Sequence, residues 1–106
     1  MKKISLPKDW VCDGSTLKPK IGATLSNTWI YERGELKPKM NATLSKTWLF
    51  DGQTLKPKMN ASLSNTWILD NKGILKPKMN ASQSNSYDTN GNSILIVWAE
   101  VVLKLW

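Results

Sequence analysis

Four tryptophans open four near-copies of one short segment, and this repeat limits what the chain can fold into more than any single residue does. The copies read WVCDGSTLKPKIGATLSNT from Trp10, WIYERGELKPKMNATLSKT from Trp29, WLFDGQTLKPKMNASLSNT from Trp48 and WILDNKGILKPKMNASQSNS from Trp67. The fourth copy carries an extra residue around Asn71, Lys72 and Gly73, which marks that point as a surface turn. Copies with no linker between them are expected to stack as one quasi-one-dimensional array, each unit covering its neighbour's apolar edge. The pattern continues weakly past both ends. Leu6 stands before Trp10 as Leu25 stands before Trp29, and Tyr87 takes the next tryptophan slot. The expected organisation is a single repeat domain over 1–106, with an N-terminal cap at 1–9, repeats at 10–28, 29–47, 48–66 and 67–86, and a partial repeat plus C-terminal cap at 87–106.

Within a unit the apolar residues alternate with polar ones. From Leu36, every second residue reads Leu36, Pro38, Met40, Ala42, Leu44, Lys46, Trp48, Phe50, and the intervening set is mainly polar. Period two is the mark of strands with one buried face, so an all-β fold is expected, a tandem-repeat β-solenoid with one coil or one hairpin per unit. Asp13-Gly14 and Asp51-Gly52 read as tight turns, and the second unit moves its glycine to Gly34. The slot of Gly22 is filled by Asn41, Asn60 and Asn80, and these two residue types share tolerance of positive φ, which predicts a left-handed residue there. Pro19, Pro38, Pro57 and Pro77 lack an amide hydrogen and belong at a corner or unpaired edge. Trp29, Trp48 and Trp67 and the leucines Leu17, Leu36, Leu55 and Leu75 are expected in register, each buried side chain contributing roughly 1.5 to 3 kcal/mol before entropy is subtracted.

A chain of 106 residues leaves a large share of its surface in water, so the core must be modest. Residues 94–106 are strongly apolar but include Glu100 and Lys104, and they are too short to span a bilayer. The Glu100–Lys104 spacing favours a capping helix, while the β-branched content favours a strand. The apolar excess makes Ile94, Ile96, Val97, Trp98, Val101, Leu105 and Trp106 the expected surface for a homodimer, or else the plug of the stack. No secretory signal opens the chain, so the cytoplasm is the default setting. A single cysteine and no histidine disfavour disulfide, metal and triad chemistry, and no cofactor is expected. The acids Asp13, Glu32, Asp51 and Asp70 recur once per turn, whereas an active site is asymmetric, so no enzyme is expected.

Each unit contains Lys-Pro-Lys: Lys18 and Lys20, Lys37 and Lys39, Lys56 and Lys58, Lys76 and Lys78. Removing these eight from the 15 basic residues leaves seven against eight acids, so the positive charge is a stripe. If stacked strands held the lysines roughly 4.8 Å apart, neighbours would repel by about 1 kcal/mol in water, and a bound polyanion would turn that into attraction. Nucleic acid or an acidic protein surface is the expected partner, bound without base specificity because only Arg33 offers a guanidinium fork.

Hydroxyls repeat as Thr24, Ser26, Thr28; Thr43, Ser45, Thr47; Ser62, Ser64, Thr66; and Ser82, Ser84, Ser86. A grid of Thr-x-Ser-x-Thr rows on a β-face resembles the ice-binding face of antifreeze β-solenoids, and that resemblance implies ice or glycan binding as the alternative function. One tryptophan per unit resembles the choline-binding repeats of bacterial cell-wall proteins, whose aromatics hold a quaternary ammonium. Here each unit has a single tryptophan beside a positive stripe, so the tryptophans are expected as core or half-buried ladder residues. A purely structural part of a larger assembly is the remaining expectation.

Overall fold

The computed structural model describes residues 1–106 and builds them around one ten-stranded sheet. Each repeat is a hairpin: β2 (Trp10–Cys12) with β3 (Thr16–Pro19), β4 (Trp29–Glu32) with β5 (Glu35–Pro38), β6 (Trp48–Phe50) with β7 (Thr54–Pro57), and β8 (Trp67–Leu69) with β9 (Ile74–Pro77). Successive hairpins also pair antiparallel, which is the pattern of a meander; stacked coils would pair in parallel. The short β10 (Tyr87–Asp88) continues the sheet, and β1 (Lys2–Lys3) lies parallel beside it.

The turn residues explain the hairpins. Asp13 accepts the backbone N–H groups of Ser15 and Thr16 at 2.9 and 2.8 Å, and Asp51 accepts those of Gln53 and Thr54 at the same distances. Glu32 replaces the aspartate in the second unit, and there a two-residue turn forms instead, with φ of 53° at Arg33 and 78° at Gly34. Both positive values are what such a turn needs to follow the twist of its strands. The four prolines end their strands opposite the tryptophans, as in Trp29↔Pro38 and Trp48↔Pro57, where no ladder donor is lost.

Beyond each proline the expected strand does not continue. Gly22, Asn41, Asn60 and Asn80 are left-handed as predicted, with φ of 78°, 61°, 63° and 60°. The chain then enters a 3-10 turn at Leu25–Asn27, Leu44–Lys46, Leu63–Asn65 or Gln83–Asn85. The reason lies in local side-chain bonds. Asn27 Oδ1 takes the N–H of Thr24 at 2.7 Å, and the Thr28 hydroxyl donates to the Thr24 carbonyl at 2.6 Å. Serine, threonine and asparagine thus supply partners that a ladder would otherwise provide, and the alternation of apolar residues is overridden.

On the inner face each repeat leucine is completely buried between two ladder neighbours. Leu36 lies between Tyr31 and Trp48, Leu55 between Phe50 and Trp67, and Leu75 between Leu69 and Tyr87. Tyr87 therefore occupies the tryptophan slot, and Cys12, opposite Leu17, fills the place of Tyr31. Trp29, Trp48 and Trp67 hold equivalent registers with a leucine-bearing strand between them; Trp10–Trp29 and Trp67–Tyr87 each approach to 6.0 Å between ring centroids, and Trp10–Trp106 to 5.4 Å.

The sheet is curled. Residues 4–9 join β1 at one edge to β2 at the other, and six residues reach at most about 25 Å. A flat sheet of ten strands would hold those edges roughly 43 Å apart. The concavity is filled by the C-terminal segment, a helix α1 (Ile94–Trp98) that continues as a π-helical stretch Ala99–Leu103 and stops at Lys104, which is left-handed at φ 54°. This corrects the expected self-association surface. Ile96, Val97, Trp98 and Val101 are buried with the repeat leucines, and Ile94, Leu105 and Trp106 are half-buried against the same core. The apolar excess of the segment is spent inside its own sheet. Glu100 is likewise turned inward, where it pairs with Lys2 at 3.3 Å.

Candidate functional site

The first lysine of each Lys-Pro-Lys pair stands on the outer face of the sheet. Lys18, Lys37, Lys56 and Lys76 are cross-strand partners of Val11, Ile30, Leu49 and Ile68, and each follows a leucine that points inward. The pleat therefore sends all four away from the helix. They form a row, but with wider steps than the sequence implied. An intervening strand separates successive lysines and the pairing shifts by two residues from one hairpin to the next, so the step is about 12 Å, and neighbouring charges repel by only about 0.3 kcal/mol in water before screening.

Acids quench part of the row. Lys37 Nζ lies 3.5 Å from Glu32 and 3.2 Å from Glu35, Glu35 also pairs with Lys58, and Lys76 lies 4.0 Å from Asp70. Hydrogen bonds from Lys58 and then Lys37 hold the Glu35 carboxyl below its usual range, and Glu35 in turn raises Lys37. Lys18, Lys20, Lys39, Lys56 and Lys78 make no ion pair. The turn acids are committed elsewhere. Asp13, Asp51 and Asp70 are held below the normal carboxylate range chiefly by backbone N–H groups of their own turns, from Ser15, Thr54 and Ile74 respectively.

The second lysines, Lys20, Lys39, Lys58 and Lys78, begin the loops 20–28, 39–47, 58–66 and 78–86. Topology brings all four loops to one end of the sheet, because each joins the second strand of a hairpin to the first strand of the next. The hairpin turns with their acids occupy the other end. The hydroxyl rows lie on this loop end and do not make the flat grid expected. Thr28, Thr47 and Thr66 are buried, with their hydroxyls donated to the carbonyls of Thr24, Thr43 and Ser62. The outward hydroxyls pair with each other across the 3-10 turn: Thr24 with Ser26 at 2.9 Å, Thr43 with Ser45 at 3.0 Å, Ser62 with Ser64 at 2.9 Å.

Two features of this end escaped the alternation pattern. Met40 and Leu44 share the parity of buried residues but are exposed, as are Ile21, Leu25, Met59, Leu63 and Met79. Parity carries no information once the strand has stopped. The other feature is Lys46, which stands where Asn27, Asn65 and Asn85 stand in the other loops. Those asparagines bridge their loops, each taking a backbone N–H at 2.7 Å and donating to the carbonyl of Gly22, Asn60 or Asn80 at 3.0–3.2 Å. Lys46 makes neither bond, and it lines an open hollow of about 500 Å³ with Trp29, Trp48, Met40, Leu103 and Trp98, whose buried indole N–H has no partner.

No three His, Cys, Asp or Glu side chains come together as a metal site, and no helix is long and apolar enough to cross a membrane. No family model, curated protein or solved structure matches the chain.

Proposed function

We propose that the chain is a non-catalytic binding protein that takes an extended polyanion, a nucleic-acid backbone or an acidic protein surface, along its lysine ladder. The observation that carries this reading is the equivalent, outward-facing position of Lys18, Lys37, Lys56 and Lys76 in successive hairpins, backed by the unpaired Lys20, Lys39 and Lys78 at the loop end. Regular charges about 12 Å apart suit a partner that recognises potential and not shape. The aliphatic residues between them leave the row free of acids except at Glu32, Glu35 and Asp70. The ice-binding alternative has less support, since its hydroxyls bond to one another on 3-10 turns.

Fluorescence anisotropy with labelled oligonucleotides, and in parallel with labelled polyglutamate, tests the reading. Binding at low salt should weaken with added salt, with a log–log slope of roughly −3 to −4 for four contacts on duplex DNA. Changing Lys18, Lys37, Lys56 and Lys76 together to glutamine should abolish it with an unchanged circular dichroism spectrum. Absence of binding to both polymers at low salt, or binding indifferent to salt, refutes it.

A further inference from the structure

The loop end of the sheet combines three properties, of which the polyanion reading uses only the second. First, it gathers the exposed apolar side chains of the molecule. Leu25, Leu44 and Leu63 sit at the same position of successive 3-10 turns, between 54% and 57% exposed. Ile21, Met40, Met59 and Met79 each follow the second lysine of their unit, and Ile21 is 89% exposed. Met1, the remaining large exposed hydrophobic, lines a hollow with Ala81, Ser82 and Gln83 of the fourth loop, where the leucine series breaks off. Second, the four loops contain Lys20, Lys39, Lys46, Lys58 and Lys78 and no acid. Third, all four loops leave the same end of a curled sheet, so their tips face one way.

We propose that this end docks on an anionic lipid bilayer, with the leucine and methionine side chains entering the headgroup–acyl boundary and the lysines resting among the anionic headgroups. Apolar tips ringed by cations match the two layers that such a surface presents, and each tip adds to the others because the fold holds them together. A second copy of the chain fits poorly, because joining two such ends would bring ten loop lysines together against only the exposed Asp9 of each copy, whose carbonyl takes the Lys20 N–H. A nucleic-acid backbone gives the leucines and methionines nothing apolar to enter. The inference shares Lys20, Lys39, Lys58 and Lys78 with the polyanion reading but not its face row, so the two fail separately.

Cosedimentation with vesicles of phosphatidylcholine alone and of phosphatidylcholine mixed with phosphatidylglycerol is the test. The expected result is binding to the mixed vesicles only. Changing Leu25, Leu44 and Leu63 together to glutamine should lower the partition coefficient about tenfold or more. These leucines are exposed, so the variant's thermal melt should stay near that of the parent. The face variant, with Lys18, Lys37, Lys56 and Lys76 changed to glutamine, should retain most of the vesicle binding. The inference is overturned by absence of binding to mixed vesicles at low salt, or by binding that ignores the leucine changes. It is equally overturned if analytical ultracentrifugation finds a dimer that the leucine variant dissolves.

Discussion

The carboxylate of Glu100 accepts the indole N–H of Trp106 at 3.0 Å, and the same oxygen takes the backbone N–H of Ser5 at 3.2 Å. Lys2 completes the cluster from the solvent side. A carboxylate only 5% exposed thus fastens the end of the chain to its beginning, on opposite flanks of the helix that fills the curl. Removing this acceptor leaves two donors without their partner. Glu100→Ala should cost about 3 kcal/mol in urea unfolding, and Glu100→Gln, which keeps one acceptor oxygen, should cost less. Equal losses in the two variants would mean that the charge and not the hydrogen bonds matters.

Lys46 is the one loop residue whose replacement should strengthen the fold. Lys46→Asn can restore the bonds that Asn27, Asn65 and Asn85 make, to the N–H of Thr43 and the carbonyl of Asn41. A gain of about 1 kcal/mol is expected, seen as a rise in Tm of roughly 4–8 °C. Asn65→Lys should lower Tm by a comparable amount.

The left-handed corner supplies its own control, because Gly22 already occupies it in the first unit. Asn60→Gly should be close to neutral, while Asn60→Ala, which lacks asparagine's tolerance of φ 63°, should cost about 1 kcal/mol. Denaturant midpoints of the two variants decide this.

Acid should unfold the protein through its turns. Asp13, Asp51, Asp70 and Glu35 all titrate below their ordinary values when folded. Their contribution is present above the unfolded carboxylate range, about pH 4, and is lost as pH falls through the folded values. Lys37 acts in the opposite sense: its raised value contributes stability that is lost only as pH climbs past its ordinary 10.5. Melting temperature should therefore be level from about pH 5 to 9 and fall below about pH 4. Changing Asp13, Asp51 and Asp70 to asparagine, which can keep the turn contacts without the charge, should flatten the acid limb.

The repeat boundaries, the left-handed corner and the tryptophan slot of Tyr87 were legible in the sequence because each follows a local pattern that recurs from unit to unit, whereas the choice between a coil and a hairpin was not. Asp-Gly, Asn and Pro state their backbone requirements wherever they stand. The 3-10 turns were not legible, since Met40, Ala42 and Leu44 continue the strand's alternation after Asn41 has already turned the chain. Nor was the curl. It depends on Lys2 and Lys3 meeting Tyr87 and Asp88, and on Lys2 meeting Glu100, pairs too distant along the chain to leave a local pattern. The lysine row was foreseen, but its step was not, because the step depends on whether a unit contributes one strand or two. The pairing of Lys58 with Glu35 follows from the same geometry, since Lys58 reaches back to the preceding hairpin.

The short bridge at residues 4–9 also ties the number of copies to the curl. An open array can gain or lose units by duplication or deletion, one at a time, and stay foldable. Here a hairpin gained or lost would change both the gap that the bridge spans and the curl that the helix fills. A nascent chain, moreover, has no mate for Lys2 and Lys3 until Tyr87 and Asp88 have left the ribosome, so the last pairing of the sheet waits for all four repeats to be made.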